Sequence, residues 1–135
     1  MNKWILLTGA SSGIGRVTAK YLDEQGYNLL LVARSKEKLE ALAAELTHPA
    51  LVFPFDLCAL KDIGMIFEQC KVQGIKLDGL VHCAGVGDVT AVRANVIEDM
   101  EKTMTTNYFS FVEMGKYFSL RKYSNDGASI VAISS

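Results

Sequence analysis

Short hydrophobic runs alternate along the chain with longer segments in which apolar residues recur at helical spacing. The runs are almost continuous in Leu, Val and Ile, which is typical of strands buried on both faces of a parallel sheet. Pro54 lies inside the third run and indicates a position at the edge of the sheet. The predicted strands are residues 4–7, 28–33, 51–55, 79–84 and 129–133.

The segments between these strands carry helical patterns. The first helix follows a glycine-rich turn, and its apolar residues Ile14, Val17, Tyr21 and Leu22 fall on one face. Ser35 is a suitable cap for a second helix, which the pair His48-Pro49 ends. A third helix is predicted at about residues 60–73, and one long helix at about residues 97–123.

This alternation of strands and helices predicts an α/β fold with a doubly wound parallel sheet. Right-handed crossovers give the strand order 3-2-1-4-5 in a single domain that spans residues 1–135. Ligands of such sheets bind outside the carboxyl ends of the strands, where the strand order reverses. We therefore expect the site between the first and fourth strands.

The turn after the first strand reads Thr-Gly-Ala-Ser-Ser-Gly-Ile-Gly over residues 8–15, a T-G-x-x-x-G-x-G pattern. Glycines let the backbone turn tightly and approach a ligand, and the N–H groups at a helix start attract an anion. A cradle for phosphate groups is the functional interpretation. A glycine-rich turn without a ligand is the alternative.

This spacing resembles that of the short-chain dehydrogenase/reductase family, which implies a Rossmann fold, an NAD(H) or NADP(H) cofactor and a carbonyl or alcohol substrate. The resemblance covers residues 3–135, and the family's catalytic Tyr-x-x-x-Lys would still lie ahead. The sequence contains no Tyr-x-x-x-Lys. We therefore expect the chain to be the cofactor-binding amino-terminal part of a longer protein, inactive by itself, with the carboxyl-terminal part of the fold absent.

The candidate cofactor-binding residues follow the carboxyl ends of the predicted strands. They are Gly9, Ser11, Ser12, Gly13, Ile14, Gly15, Arg34, Ser35, Asp56, Leu57, Cys83, Ala84 and Gly85.

The residues after the second strand favour NADP(H) over NAD(H). Arg34 stands there with no acid before Glu37, and an arginine accommodates a ribose 2′-phosphate where an acid would bind a free hydroxyl. Ser35 and Lys36 can add contacts. Arg34 as a solvated loop residue is the alternative.

The resemblance implies further roles at the next two strand ends. Asp56 would contact the adenine, although it could equally cap the next helix. Cys83-Ala84-Gly85 stands where relatives usually have Asn-Ala-Gly, so side-chain hydrogen bonding at Cys83 is in doubt. Cys83 is not expected to act as a nucleophile.

Two catalytic residues are also implied by the resemblance. Asn107 corresponds to the asparagine that helps hold a water in a proton relay, with a surface asparagine as the alternative. Ser135, in Ile133-Ser134-Ser135, corresponds to the serine that hydrogen-bonds the substrate oxygen. The family's tyrosine would transfer the proton, and its lysine would lower the pKa of that tyrosine.

Composition narrows the classes of partner. The formal net charge is −1, so no basic surface for nucleic acid or membrane is indicated. Three widely spaced cysteines and two histidines predict neither a disulfide framework nor a metal site, and a cytoplasmic location is expected. The apolar fifth strand would leave an open sheet edge, which favours a homo-oligomer.

The preferred interpretation is an NADP(H)-dependent oxidoreductase that interconverts a carbonyl and an alcohol. The alternative is a nucleotide-binding or interaction module without catalysis. A serine hydrolase is disfavoured because neither His48 nor His82 has a convincing catalytic partner next to it in the sequence.

Overall fold

The computed structural model describes residues 2–86 and 90–134. Its centre is a parallel sheet of five strands in the order β3-β2-β1-β4-β5, which confirms the predicted fold class. The strands are β1 (Trp4–Thr8), β2 (Asn28–Ala33), β3 (Ala50–Pro54), β4 (Leu77–His82) and β5 (Ser124–Ala132).

Helices cover both faces of this sheet. They are α1 (Gly13–Glu24), α2 (Lys36–Glu45), α3 (Gly64–Val72), α4 (Ile97–Met104) and α5 (Ser110–Phe118). A π-helical turn, Thr105–Phe109, joins α4 to α5, so the predicted single helix contains a widened turn and ends at Phe118 rather than at residue 123. No helix of the described ranges is long and apolar enough to cross a membrane.

The core has two layers because successive strand residues point to opposite faces. On β1, Leu6 packs into the layer that holds Phe67 of α3 and Met114 of α5. Ile5 and Leu7 of the same strand pack into the other layer, which contains the α2 leucines at 39 and 42. The continuous hydrophobic strands in the sequence are thus explained by burial on both faces.

Of the four apolar residues that the sequence pattern placed on one face of α1, only Leu22 packs against the core layer that contains Ile5 and Leu7. Ile14, Val17 and Tyr21 are 61%, 68% and 59% exposed, and the buried positions of this helix include Gly15 and Ala19. The helix lies so close to the glycine-rich turn before it that a Cβ on Gly15 would be 2.0 Å from the carbonyl oxygen of Gly9. Only small residues fit this contact, so most of the face predicted from apolar spacing is exposed.

The two edges of the sheet are formed by β3 and β5. Pro54 is the last residue of β3, in agreement with the edge position expected for it. Residues 125–127 read Asn-Asp-Gly, which is typical of a turn before the strand predicted at 129–133, but they lie within β5 as an irregularity in its pairing with β4, where Gly127 has a φ of +79°. The fifth strand therefore begins at Ser124 rather than at 129.

Candidate functional site

A cavity of about 500 Å³ opens at the carboxyl ends of the strands, beside the point where the strand order reverses between β1 and β4. Its wall brings together nine of the thirteen candidate cofactor residues. These are Gly9, Ser11, Ser12, Arg34, Ser35, Asp56, Leu57, Ala84 and Gly85.

The glycine-rich turn forms the wall nearest β1. Gly9 has a φ of +66°, and a Cβ there would lie 2.6 Å from the backbone nitrogen of Ala84. Gly13 has a φ of +55°, but a Cβ on it would meet no atom of the described residues within 4 Å. Gly9 is therefore required by close packing against β4, whereas Gly13 leaves open space in front of the start of α1.

The start of α1 offers backbone donors. Its cap residue Ser12 is extended, and the first intrahelical bond runs from the Arg16 N–H to the Ser12 carbonyl. The preceding N–H groups at a helix start have no intrahelical acceptor, and the helix dipole favours a negative charge in front of them. This end of the cavity can therefore bind an anion through the backbone.

A cationic end of the cavity lies beyond β2. Arg34, Ser35 and Lys38 line it, and the Ser35 hydroxyl caps α2 by accepting the Lys38 N–H at 3.3 Å. Lys36, the lysine that the sequence suggested, instead extends to Glu40 at 3.8 Å. Lys38 is the third residue of α2 and lies in its first turn, and the sequence interpretation did not include it.

The loop after β3 forms the opposite wall. Asp56 lines the cavity, and its Oδ1 also accepts the N–H of Cys58 at 2.9 Å, so the carboxylate orders its own loop. The Cys58 thiol lies 3.1 Å from the Thr106 hydroxyl in the π turn. Cys58, Lys102 and Thr106 also line the cavity, and nothing local in the sequence marked them.

The end of β4 is tied to β1 by a buried hydroxyl. The Ala84 N–H donates to the Thr8 Oγ1 at 3.1 Å, which holds Ala84 and Gly85 at the cavity wall. Cys83 packs on the other face of the sheet, against the layer beneath α1 and α2. Burial raises the pKa of its thiol, and a hydrogen bond with Thr18 opposes this effect. A protonated thiol is a poor nucleophile.

Asn107 occupies the π turn and anchors the loop after β4. Its Nδ2 donates to the Val86 carbonyl and its Oδ1 accepts the Val86 N–H, each at 2.7 Å. Both ends of the amide are thus used to hold the backbone beside Gly85. Ser135 lies outside the described residues.

Comparisons with known proteins agree with this architecture. The family model described as short chain dehydrogenase matches residues 3–135. A fatty acyl-CoA reductase of Acinetobacter baylyi is 37% identical over 83% of this chain and 40% of its own length. A human 3-oxoacyl-[acyl-carrier-protein] reductase is 31% identical over 100% of the chain and 57% of its own length.

The fold has a close counterpart among solved structures. A short-chain dehydrogenase/reductase from Serratia marcescens superposes with a TM-score of 0.90 at 25% identity, covering 98% of this chain and 55% of that protein. The chain thus spans about half the length of the relatives it matches. With the family model matched over nearly every residue, the chain belongs to the short-chain dehydrogenase family.

Proposed function

We propose that this chain is the cofactor-binding part of an NADP(H)-dependent oxidoreductase that interconverts a carbonyl and an alcohol. The observation that carries the proposal is the single cavity wall shared by the glycine-rich turn, the Arg34–Lys38 end and Asp56. Family membership supports the reaction class, and both relatives described above are named as reductases.

The residues of the wall fit a dinucleotide. The open side of Gly13 and the N–H groups at the start of α1 suit the pyrophosphate, because a side chain is absent where the anion must approach. Asp56 can accept a hydrogen bond from the adenine amine. Ala84 and Gly85 keep the backbone close at the strand end. When bound, the nicotinamide supplies or accepts the hydride.

Arg34, Ser35 and Lys38 support a preference for a 2′-phosphate. Two cations and a hydroxyl line this end of the cavity. A guanidinium offers two parallel donors to a phosphate, and the lysine adds a point charge. A ribose without a 2′-phosphate would offer Arg34 and Lys38 no negative charge to bind. NADP(H) is therefore the proposed cofactor and NAD(H) the weaker one.

The experiment measures the dissociation constants of NADPH and NADH for four proteins: the parent, Arg34→Ala, Lys38→Ala and Lys36→Ala. Each charge-assisted phosphate contact contributes about 1.5–3 kcal/mol, so Arg34→Ala should weaken NADPH more than tenfold and NADH much less. Lys38→Ala should act in the same direction. Lys36→Ala is the matched control, since Lys36 is in the same helical turn but extends to Glu40.

If Arg34→Ala lost as much affinity for NADH as for NADPH, the assignment of Arg34 to the 2′-phosphate would be excluded. An effect of Lys36→Ala as large as that of Lys38→Ala would exclude the proposed role of Lys38.

For the chemical step, we propose that Asn107 orders the loop beside the cofactor and that Ser135 hydrogen-bonds the substrate oxygen. The sequence contains no Tyr-x-x-x-Lys to supply a proton. A purified polypeptide of these 135 residues should therefore bind NADPH without oxidising it in the presence of ketones. Turnover by that polypeptide would contradict this assignment of roles.

A further inference from the structure

His82, the last residue of β4, is a buried titratable group that the proposed chemistry does not use. It is 2% exposed, and its Nδ1 lies 2.9 Å from the Oγ1 of Thr8, which is fully buried. That same hydroxyl accepts the N–H of Ala84 at the cavity wall. One imidazole, one hydroxyl and one backbone amide thus connect the ends of β1 and β4.

The ring also contacts α5, the helix that follows the π turn of Asn107. The ring of Phe111, on α5, lies 5.2 Å from the imidazole between centroids. The Nε2 makes no hydrogen bond of ordinary length and angle within residues 2–86 and 90–134, although the backbone of Thr106 lies close to the ring. Burial lowers the pKa of His82, and the backbone of Thr106 in the π turn opposes this effect and raises it. His82 therefore lies between the glycine-rich turn and the π turn as a neutral ring.

His82 does not line the cavity itself. Through Thr8 and Ala84 it is connected to two of the cavity walls, the glycine-rich turn and the end of β4. A neutral imidazole can accept the Thr8 proton or donate to its oxygen, depending on the tautomer. In either arrangement it fixes the direction of the hydroxyl that the Ala84 N–H requires. A purely apolar residue of similar volume would fill the space and leave this hydroxyl free to rotate.

We propose that His82 is a positioning residue for nucleotide binding, which orients Thr8 and through it the Ala84–Gly85 backbone at the cavity wall. This inference rests on the proposed function, since it concerns the same cavity. It predicts that the polar δ atom of residue 82, rather than its volume, controls nucleotide affinity. Asparagine has a polar atom at a comparable position, whereas leucine has none.

The experiment compares NADPH affinity in the parent, His82→Leu, His82→Asn, Thr8→Val and the Thr8→Val/His82→Leu double variant. His82→Leu should weaken NADPH about tenfold, which corresponds to about 1.4 kcal/mol and to the loss of one hydrogen bond. His82→Asn should restore affinity to within about threefold of the parent. In the Thr8→Val background, His82→Leu should change affinity by less than about twofold, because the partner is already absent.

A second readout needs no substitution of His82. The chain has two histidines, so the ring nitrogens in ¹⁵N-histidine-labelled protein can be assigned with a His48→Gln variant. His48 bonds Asp23 away from the cavity and is the internal control. NADPH should shift the His82 ring signals and leave those of His48 in place.

The proposal is overturned if His82→Leu binds NADPH as tightly as the parent, if His82→Asn fails to restore affinity, or if the leucine effect persists undiminished without the Thr8 hydroxyl. If His82→Leu does not fold, the ring signals decide, and unchanged His82 signals on saturation with NADPH overturn it. A parent protein that binds neither NADPH nor NADH contradicts the proposed function itself, which separates the two failures.

Discussion

Three glycine-to-alanine substitutions separate what packing requires of the glycine-rich turn from what a ligand requires. In Gly15→Ala the new Cβ would lie 2.0 Å from the Gly9 carbonyl oxygen and 3.2 Å from the Cα of Ala10. Both neighbours are backbone atoms of the glycine-rich turn, so α1 must move away from this turn by on the order of 1 Å in a close-packed interior. Overpacking of this kind costs about 3 kcal/mol, the upper end of the usual range.

Gly13→Ala meets no such contact. A Cβ there has no atom of the described chain within 4 Å, and the cost is the left-handed backbone at a φ of +55°. That conformation costs a residue with a side chain about 1–2 kcal/mol. Gly115→Ala in α5 is the matched control, because its Cβ also meets nothing described within 4 Å and its φ is not positive. It should be neutral or stabilising by up to about 1 kcal/mol.

Urea unfolding gives the three free-energy changes, and NADPH titration gives the affinities of the folded variants. The expected order of destabilisation is Gly15→Ala, then Gly13→Ala, then Gly115→Ala. Gly13→Ala should also lose NADPH affinity at least tenfold while it remains folded, since its methyl group occupies the space proposed for the pyrophosphate. A stable Gly15→Ala variant would refute the packing argument. Unchanged affinity in Gly13→Ala would refute the phosphate cradle.

Three further predictions concern other parts of the chain. Burial raises the pKa of Asp23, but N–H donors of Thr47 and His48 outweigh it and lower the pKa below its ordinary value. The free energy of unfolding of the parent should therefore decrease as the pH falls below about 4, first through the pKa of Asp23 in the unfolded state and then through its lower pKa in the folded state. In Asp23→Asn, acid unfolding curves should show a smaller decrease of stability with pH. Iodoacetamide should modify Cys58, which lines the cavity, before it modifies Cys70, because burial raises the pKa of the Cys70 thiol to about 12. Bound NADPH should slow the labelling of Cys58, as measured by peptide mass spectrometry. Labelling of Cys58 at the same rate with NADPH present would contradict its place in the site. A polypeptide of these 135 residues has β5 as a sheet edge on which Val131 is 49% exposed, and we expect that polypeptide to self-associate through this edge. Val131→Lys should shift it toward monomer in sedimentation, and an unchanged distribution would exclude this edge.

The order of the main elements and the handedness of their connections could be predicted from the sequence, because they depend on local hydrophobic patterns and on general rules for connecting strands. Hydrophobic runs buried on both faces require helices on both sides, and right-handed crossovers then leave few topologies. The glycine-rich turn is also a local feature, since its spacing and its place between a strand and a helix are both visible in the chain. For the same reason the Ser35 cap was predictable, and the structure contains it.

Contacts between distant segments were not predictable in this way. The pattern of α1 marked Ile14, Val17, Tyr21 and Leu22, but only Leu22 packs against the core, because the buried face is decided by how closely Gly15 approaches Gly9 on the preceding turn. The spacing of apolar residues predicts that a helix has a hydrophobic face, but it does not predict which element packs against that face. A face of small residues that allows two backbones to approach carries almost no hydrophobic signal.

The candidate site likewise has features that the sequence predicts and features that depend on tertiary structure. Sequence by itself determined the fold, the family resemblance and the residues that directly follow each strand, because chain connectivity places all strand ends of a parallel sheet at one edge. Only the tertiary structure decided that Lys38 rather than Lys36 lines the cavity, that Cys58 meets Thr106, and that His82 holds Thr8. These pairings join residues 48 and 74 positions apart, or depend on helix phase, and side-chain direction in a packed interior is set by neighbours that the local sequence does not contain.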